Sequence, residues 1–508
     1  MKYLKFIFSR LAVVAIAIII QIVMLILLIE RLNEFYAYVS LLLSIISIFF
    51  AFNVLNRNMN PDYKVPWLMI ILGLPLIGIV LYFLFSKNHL TKKQECKMKK
   101  IKEKNSKYTF VDSTEDERNR QYLKEYYGQN KYIENTSKAK ASLNNKLTYF
   151  KKGEEFFEDL VIELNNAKKF IFMEYFIIEK GKMFNTIIDI LSKKVLEGVD
   201  VRLIYDDVGS ASKIRKKDID TIRKQGIKCV VFNPFIPVIS GIHNNRDHRK
   251  ITVIDGVIGY TGGINLADEY INEVHPYGVW KDSAIKLCGE SVKNLTLSFL
   301  NTYEFITNQD EEYNKYLDLD YISYPDKGMV NFFNDGPSPI DNELIGENVY
   351  INIVNNAKEY VYITTPYLII DYNFISAIRN AVFRGVDVRI ITPGIPDKKM
   401  IYNLTRSHYK ELLNVGVKIY EYTPGFIHAK NFIADDKVGV VGTINLDYRS
   451  LVHHYECATW IYDNDVIDDI KDDFINTLNE CKEVDKNFKL KPFIRLINYF
   501  LKFFTPLL

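Results

Sequence analysis

The chain carries one pattern twice at a constant offset of 180 residues, and no other feature limits its fold as tightly. The first copy runs His248, Lys250, Asp255, Gly262 and Asn265. The second runs His428, Lys430, Asp435, Gly442 and Asn445, with every interval the same. The likeness extends upstream: Asn165-Asn166-Ala167-Lys168 and Asn355-Asn356-Ala357-Lys358 each precede an apolar run, at 170–173 and 360–364. Gly198-Val199-Asp200-Val201-Arg202 is matched by Gly385-Val386-Asp387-Val388-Arg389, and the runs 201–205 and 388–391 read as buried strands. Short β-branched runs alternating with helical stretches imply an α/β fold, each repeat a mixed sheet flanked by helices. Two copies are too few for a solenoid, so the reading is a fused pseudo-dimer. The first repeat is expected over 145–325 and the second over 326–486, joined through the irregular, Pro- and Gly-containing stretch 310–342.

The paired pattern has a chemical logic. Alternate residues of a strand share a side, so His248 and Lys250 face one cleft together, as do His428 and Lys430. Asp255-Gly256 is a hairpin signal between apolar runs, although Asp255 is as much a turn residue as a chemical one. The returning strand, expected over 257–261, would bring Gly262 and Asn265 beside the histidine. Glycine allows close approach of backbone to a ligand, and asparagine can donate to a phosphoryl oxygen. Lysine supplies charge to the equatorial oxygens of a transferring phosphoryl group. A single match would carry little weight; two in register make chance a poor explanation.

The first 86 residues are of another composition. Apolar runs cover 11–29, 35–52 and 66–85, each about long enough to cross a hydrocarbon core. The first is too long for a cleaved signal peptide and lacks a small-residue cleavage site. The third holds Pro75, Gly73 and Gly78, which leave a re-entrant segment open as an alternative. A transmembrane anchor of two or three helices is therefore expected over 1–86. Lysines crowd the following stretch (Lys87, Lys92, Lys93, Lys97, Lys99, Lys100, Lys102, Lys104, Lys107), whereas Lys2, Lys5 and Arg10 are the basic residues before the first run. The positive-inside rule then places the body of the chain in the cytoplasm. Residues 87–144 read as a basic linker, able to attract anionic headgroups at about 1 kcal/mol per charge. At the other end, 487–508 is an amphipathic tail that either lies in the membrane interface or docks on the body. The net charge of +3 gives no sign of nucleic-acid binding. Five scattered cysteines without a CxxC pair make a disulfide framework or a zinc site a poor fit, and no metal or other cofactor is expected.

The motifs Asn245-Arg246-Asp247-His248-Arg249-Lys250, Gly425-Phe426-Ile427-His428-Ala429-Lys430 and Gly442-Thr443-Ile444-Asn445-Leu446-Asp447-Tyr448-Arg449-Ser450 resemble those of the bacterial cardiolipin synthases, within the phospholipase D (HKD) superfamily. The resemblance covers nearly the whole chain, including Trp67, Pro75, Gly78 and Tyr82, then Tyr367, Arg406-Ser407 and the closing Pro506-Leu507-Leu508. It implies a phosphatidyltransferase at the cell membrane. A phosphatidyl group would pass from one phosphatidylglycerol to another through a phosphohistidine, with glycerol released. His248, Lys250, Asp255, His428, Lys430 and Asp435 would be the catalytic set, and Asn265, Asn445, Gly262 and Gly442 the substrate-binding set. His248 is taken as nucleophile and His428 as general acid and base, a choice the near-symmetry leaves open. Each imidazole needs an acceptor to fix its tautomer. The resemblance assigns Glu456 to His428, and Asp282, in Trp280-Lys281-Asp282, to the first copy. Among the other histidines, His243, His275, His408, His453 and His454 lack the motif spacing. Glu174, Tyr175, Pro366 and Tyr367 end strands that would line the cleft. The alternatives are a phospholipase D that hydrolyses to phosphatidic acid, and a non-catalytic lipid-binding scaffold.

Overall fold

The structure is a computed structural model that describes residues 19–24, 34–57, 60–85, 92–234, 244–338, 340–341 and 343–505. Most of the first apolar run, its basic flank, Lys87, His243 and the closing Pro-Leu-Leu lie outside the described residues. The chain divides into two compact units, one of residues 1–90, 235–245 and 496–508, the other of 91–234 and 246–495.

In the first unit the helix Glu34–Leu55 includes Ala37–Leu55, which is long and apolar enough to cross a membrane. The third apolar run is broken. Pro61–Gly73 and Pro75–Phe85 are separate helices that fold back on one another, with the Trp67 and Tyr82 rings 5.3 Å apart. The close approach depends on Gly78, where a Cβ would lie 2.3 Å from the Ile70 carbonyl oxygen. At 1.5 Å per residue these arms are about 20 and about 16 Å long, short of the roughly 30 Å hydrocarbon core. A single third span is therefore not what this run forms.

The second unit holds two sheets. The first has the order Lys146–Phe150, Ala284–Cys288, Ile258–Gly262, Lys250–Ile254, Phe170–Tyr175, Asp200–Asp206, Lys228–Phe232. The last three run parallel and are joined by the crossover helices Lys182–Leu196 and Lys216–Lys224. The second sheet repeats this around Tyr360–Thr364, Asp387–Pro393 and Lys418–Tyr422, with Tyr372–Phe383 and Lys399–Val415 as crossovers. Each motif lysine opens or directly precedes an antiparallel hairpin: Lys250–Ile254 with Ile258–Gly262, and Asn431–Ala434 with Val438–Gly442. Period-2 alternation is lost in these strands because both faces are covered, and every residue of Lys250–Ile254 and Asn431–Ala434 is buried.

The repeats meet through an apolar core. Phe172, Ile251, Val253 and Ile285 of the first share a cluster with Ile433, Val441, Cys457 and Ile461 of the second. Stacked pairs stiffen it, Phe172 on Phe299 at 4.6 Å and Tyr362 on Phe474 at 4.8 Å.

Three expectations need correction. The stretch 310–342 is not merely a joint, since Met329–Asp335 forms a strand paired along its length with Glu456–Tyr462. The segment 87–144 is not a linker where it is described. Helices Lys92–Asn105, Ser113–Leu123 and Tyr127–Thr136 pack on the body, with Leu123, Tyr126 and Ile133 buried in the core of the second repeat. Several of its lysines are committed to the protein: Lys97 donates to the Phe305 carbonyl at 2.6 Å, and Lys102 to Asp341 at 2.6 Å.

The third correction concerns Asp255 and Asp435, expected among the catalytic groups. Both sit at the turn of their hairpin, at the far end of the strand from the histidine, with φ of 53° and 56°. The Asp255 carboxylate accepts from the backbone N–H of Lys168, Lys169 and Phe170 at 2.6–2.9 Å. Asp435 does the same for Lys358, Glu359 and Tyr360 at 2.7–2.9 Å. Each aspartate thus satisfies the donors at the start of the neighbouring strand and fixes where that strand begins. Asp255→Ala should cost about 2–4 kcal/mol of stability, from the lost charge-assisted bonds and the left-handed backbone. Denaturant titration in detergent checks this, and turnover per folded molecule should stay within about threefold of wild type; a hundredfold loss would return the aspartate to the chemistry.

Candidate active site

The histidines are held by acids of the opposite repeat. The segment before His248 pairs with the strand entry at Tyr455: Asp247 bridges Tyr455 in parallel, and His248 N–H donates to the Tyr455 carbonyl at 2.9 Å. In the other half Gly425–Ile427 pairs in parallel with Val279–Lys281, and His428 N–H donates to the Lys281 carbonyl at 2.7 Å. The next residue along is the acid in each case. Glu456 therefore faces His248, its carboxylate oxygens 2.9 and 3.0 Å from Nδ1. Asp282 faces His428 at 2.6 Å from Nδ1. The assignment of Glu456 to His428 is thereby corrected: the repeats exchange their acids.

Both acids are fully buried and locked in place. Glu456 accepts from Ser450 Oγ at 2.5 Å and from Thr443 Oγ1; Asp282 accepts from the Ser283 N–H at 2.8 Å. Burial alone would push both carboxyls up. The charge and hydrogen bond of His248, with His454, hold Glu456 well below the carboxylate range, and His428 with Lys430 keeps Asp282 low. An ionised carboxylate at Nδ1 takes the ring proton there and leaves the Nε2 lone pair free.

Burial pushes both imidazoles down, against the pull of their acids: His248 to about 3 and His428 to about 4, with the nearby lysines adding to the effect. The lysines are also buried, and each Nζ donates back to the carbonyl of its own motif histidine. Burial lowers Lys250 to about 8 and Lys430 to about 7. Lys250 is close enough to act on both Lys430 and His428, and both acids act on Lys250, so the two motifs form one electrostatic site. Burial thus favours neutral imidazoles and destabilises the ammonium groups, an environment that an anion would relieve.

The other expected residues divide. Asn265 and Asn445 are buried beside the motifs. Asn265 is engaged by the protein, accepting from Ile177 N–H at 3.0 Å and donating to Tyr270 OH at 2.6 Å. Asn445 Oδ1 has no hydrogen-bond partner among the described residues, which leaves it available to a ligand. Gly262 and Gly442 do not make room for substrate, contrary to expectation. A Cβ on Gly262 would lie 2.4 Å from the Ser283 carbonyl oxygen, and one on Gly442 would lie 2.4 Å from Ala458 Cβ. They admit the strands that carry the orienting acids. Gly263 goes further, since its Cβ would meet Asp282 Oδ1 at 2.1 Å. Glu174 and Tyr175 are buried rather than cleft-lining: Glu174 pairs with Arg249 at 2.7 Å, and Tyr175 OH bonds Thr252 Oγ1 at 2.7 Å. Tyr367 OH donates to Asp397 at 2.7 Å.

Sequence reasoning missed the aromatic walls. Phe176 lies edge-on to His248 at 4.9 Å, with His454 tilted against it at 5.4 Å. Trp280 and Tyr270 lie 5.4 and 5.6 Å from His428. The residue two before each acid was the available signal, Trp280 ahead of Asp282 and His454 ahead of Glu456. His248, His454 and Glu456 bring ligand-type atoms within 4.8 Å of one another. Their closest contacts are hydrogen bonds, with both Glu456 oxygens already taken by hydroxyls.

Two buried imidazoles, each oriented by a carboxylate and backed by a lysine, on a fused pair of mixed α/β sheets, define a phosphotransfer enzyme of the phospholipase D type. The family described as "Cardiolipin synthase, PLD-like domain" matches residues 160–299 and 350–478, and "Phospholipase_D-nuclease N-terminal" matches 42–87. A protein called cardiolipin synthase from Geobacillus sp. is 32% identical over 475 residues, covering 92% of this chain and 94% of its own length. An uncharacterized protein from Streptococcus mutans is 43% identical over 461 residues, 90% of this chain and 98% of that one. The crystal structure of phosphatidylserine synthase from Haemophilus influenzae shares the fold, with a TM-score of 0.56 at 16% identity, over 75% of this chain and all of that one. The chain belongs to the PLD-like cardiolipin synthase family.

Two outcomes follow from this geometry. Glu456→Gln should lower turnover between about 10²- and about 10⁴-fold, by analogy with loss of an orienting acid. In ¹⁵N-histidine spectra the same change should alter the Nδ1 signal of His248 and leave that of His428; the reverse would undo the crossed assignment. Secondly, the unfolded chain binds protons at its histidines near 6.5 that the folded chain refuses until about 3 and 4. Stability should therefore fall as pH drops below 6.5, by up to about 1.4 kcal/mol per pH unit for each histidine, and His428→Asn should remove one share of that slope in denaturant titrations.

Proposed function

We propose that this chain is a cardiolipin synthase that joins two phosphatidylglycerol molecules and releases glycerol. The observation that carries the reading is the pair of crossed carboxylate–imidazole contacts, which leaves one free Nε2 on each histidine within a single cationic site. Such a site suits two successive displacements at one phosphorus. His248 Nε2 attacks the donor phosphorus as the bond to the glycerol oxygen breaks, and His428 gives that oxygen its proton. The phosphatidyl group is then held on His248. The terminal hydroxyl of a second phosphatidylglycerol loses its proton to His428 and attacks phosphorus, breaking the P–N bond and restoring both groups. Lys250 and Lys430 offset the charge on the phosphoryl oxygens.

An anionic phosphodiester between the lysines raises the pKa of the facing imidazole, which lets a histidine that is neutral in the empty site act as the acid. We assign the nucleophile to His248 because Glu456, its partner, is fixed by two hydroxyl donors, whereas Asp282 accepts one backbone donor.

The membrane setting agrees with this substrate. Ala37–Leu55 would span the bilayer, with the apolar run before it as a second span, making the anchor multi-pass. The lysines after residue 86 favour the cytoplasmic side for the catalytic body.

Purified full-length protein in phosphatidylglycerol vesicles should form cardiolipin and glycerol in equal amounts. His428→Ala should reduce both by about 10³-fold or more. Rapid quenching followed by peptide mapping should find the phosphoryl group on His248. Phosphatidic acid without cardiolipin would establish the hydrolase instead, and label on His428 would exchange the two roles.

A further inference from the structure

The helix Pro492–Phe504 turns its apolar side outward. Phe493, Leu496, Ile497 and Phe500 stand at i, i+3, i+4 and i+7 on one face, and they are 73%, 55%, 41% and 65% exposed. Asn498, on the opposite arc, is 2% exposed. A helix that folds against its own protein does the reverse, burying the apolar stripe and leaving the polar arc in water. Tyr499 adds a further ring at 65% exposure beside the same stripe. Monomeric soluble proteins do not present so many contiguous large apolar side chains without an occupant for them.

Charge and length identify the occupant. From Lys486 to Thr505 the sequence has Lys486, Lys489, Lys491, Arg495 and Lys502 and no acidic residue. A protein groove complementary to this segment would need to be acidic as well as apolar, whereas an anionic bilayer surface offers both phosphate charge and acyl chain at the required depth. Thirteen residues extend about 20 Å, too short to cross a core of roughly 30 Å. Arg495 and Lys502 lie on the arc away from the apolar stripe, where headgroups would meet them if the axis lay flat.

We infer that Pro492–Phe504 is an in-plane membrane helix, seated with Phe493, Leu496, Ile497 and Phe500 among the acyl chains of an anionic leaflet and its basic residues at the headgroups. The inference rests on the membrane placement proposed above but not on the chemistry of the site. It gives the carboxyl-terminal end of the chain its own hold on the leaflet that carries the substrate.

The test uses full-length protein in which exposed Cys96 is changed to Ser and an environment-sensitive fluorophore is attached at Phe500→Cys, Lys502→Cys or Phe49→Cys. The protein is placed in phosphatidylglycerol–phosphatidylcholine vesicles containing nitroxide-labelled acyl chains. The label at 500 should shift to the blue and be quenched severalfold more by the acyl nitroxide than by aqueous iodide, while the label at 502 shows the opposite preference. The label at 49 reports on the spanning helix. Quenching at 49 with iodide accessibility at 500 would overturn the in-plane helix and leave the membrane placement standing. Protection of 500 from both quenchers would mean that protein, such as a second copy of this chain, covers the face, and would also overturn it. Iodide quenching at both positions would remove the membrane placement and this inference together. A Phe493→Ser, Phe500→Ser double variant labelled at Ile497→Cys should lose the blue shift; retaining it would count against acyl burial of the stripe.

Discussion

Everything in the catalytic unit depends on the exchange of carboxylates between the repeats. An imidazole serves as nucleophile or proton carrier only when one nitrogen is committed, and here the commitment comes from across the pseudo-dimer: Glu456 to His248 and Asp282 to His428. Each acid stands one residue beyond a parallel pairing between repeats, Asp247 with Tyr455 and Ile427 with Lys281. A slip of one residue in either pairing would turn the acid to the other face. The apolar core between the sheets therefore does more than hold two halves together. It fixes their register closely enough to keep two short N···O contacts, which is why it is filled with interlocked aromatics and β-branched side chains and why the neighbouring glycines cannot carry a Cβ. Neither repeat orients its motif histidine by itself.

The same burial that positions the groups also loads them electrostatically. Two lysines, two histidines and two acids share a space with little access to water, and the strongest influence on each is loss of hydration. The carboxylates stay ionised because the imidazoles and hydroxyls bond to them. The imidazoles stay neutral because burial outweighs those bonds, and the lysines lie near neutrality. What the arrangement lacks is one negative charge between the lysines. A phosphodiester supplies it, raising the lysines and an imidazole together.

How much of this could be read from the sequence follows from what intervals encode. A constant offset between His248 and His428, and between their lysines, asparagines and glycines, reveals the two-fold arrangement and the motif side chains that gather near its axis. Offsets cannot say which side of the axis a residue crosses to, so the sequence pairs Glu456 with the histidine of its own copy although it serves the other. The motif aspartates misled for a related reason. Regular recurrence marks Asp255 and Asp435 as required without saying for what, and the requirement is a hairpin turn that anchors the next strand. The glycines recur for backbone clearance against Ser283, Ala284 and Ala458 rather than for a ligand. Lysine density suggested a free linker at 87–144, but the packing of Leu123, Tyr126 and Ile133 is a tertiary fact that a charge count does not carry.

The chemistry is nearly symmetric and its surroundings are not. His248 stands against Phe176 and His454, whereas His428 is enclosed by Trp280, Tyr270 and, at 5.9 Å, Phe426. The six-residue difference in spacing between histidine and acid in the two copies lies in the loop that presents Tyr270, Tyr277 and Trp280. A transfer that begins with phosphatidylglycerol and ends with cardiolipin must admit a small alcohol on departure and a lipid alcohol on arrival at the same phosphorus. Identical walls on both sides would bind both faces of that phosphorus alike. The first-repeat insertion builds an aromatic enclosure around one histidine, so the near-symmetry of the motif residues does not extend to their surroundings.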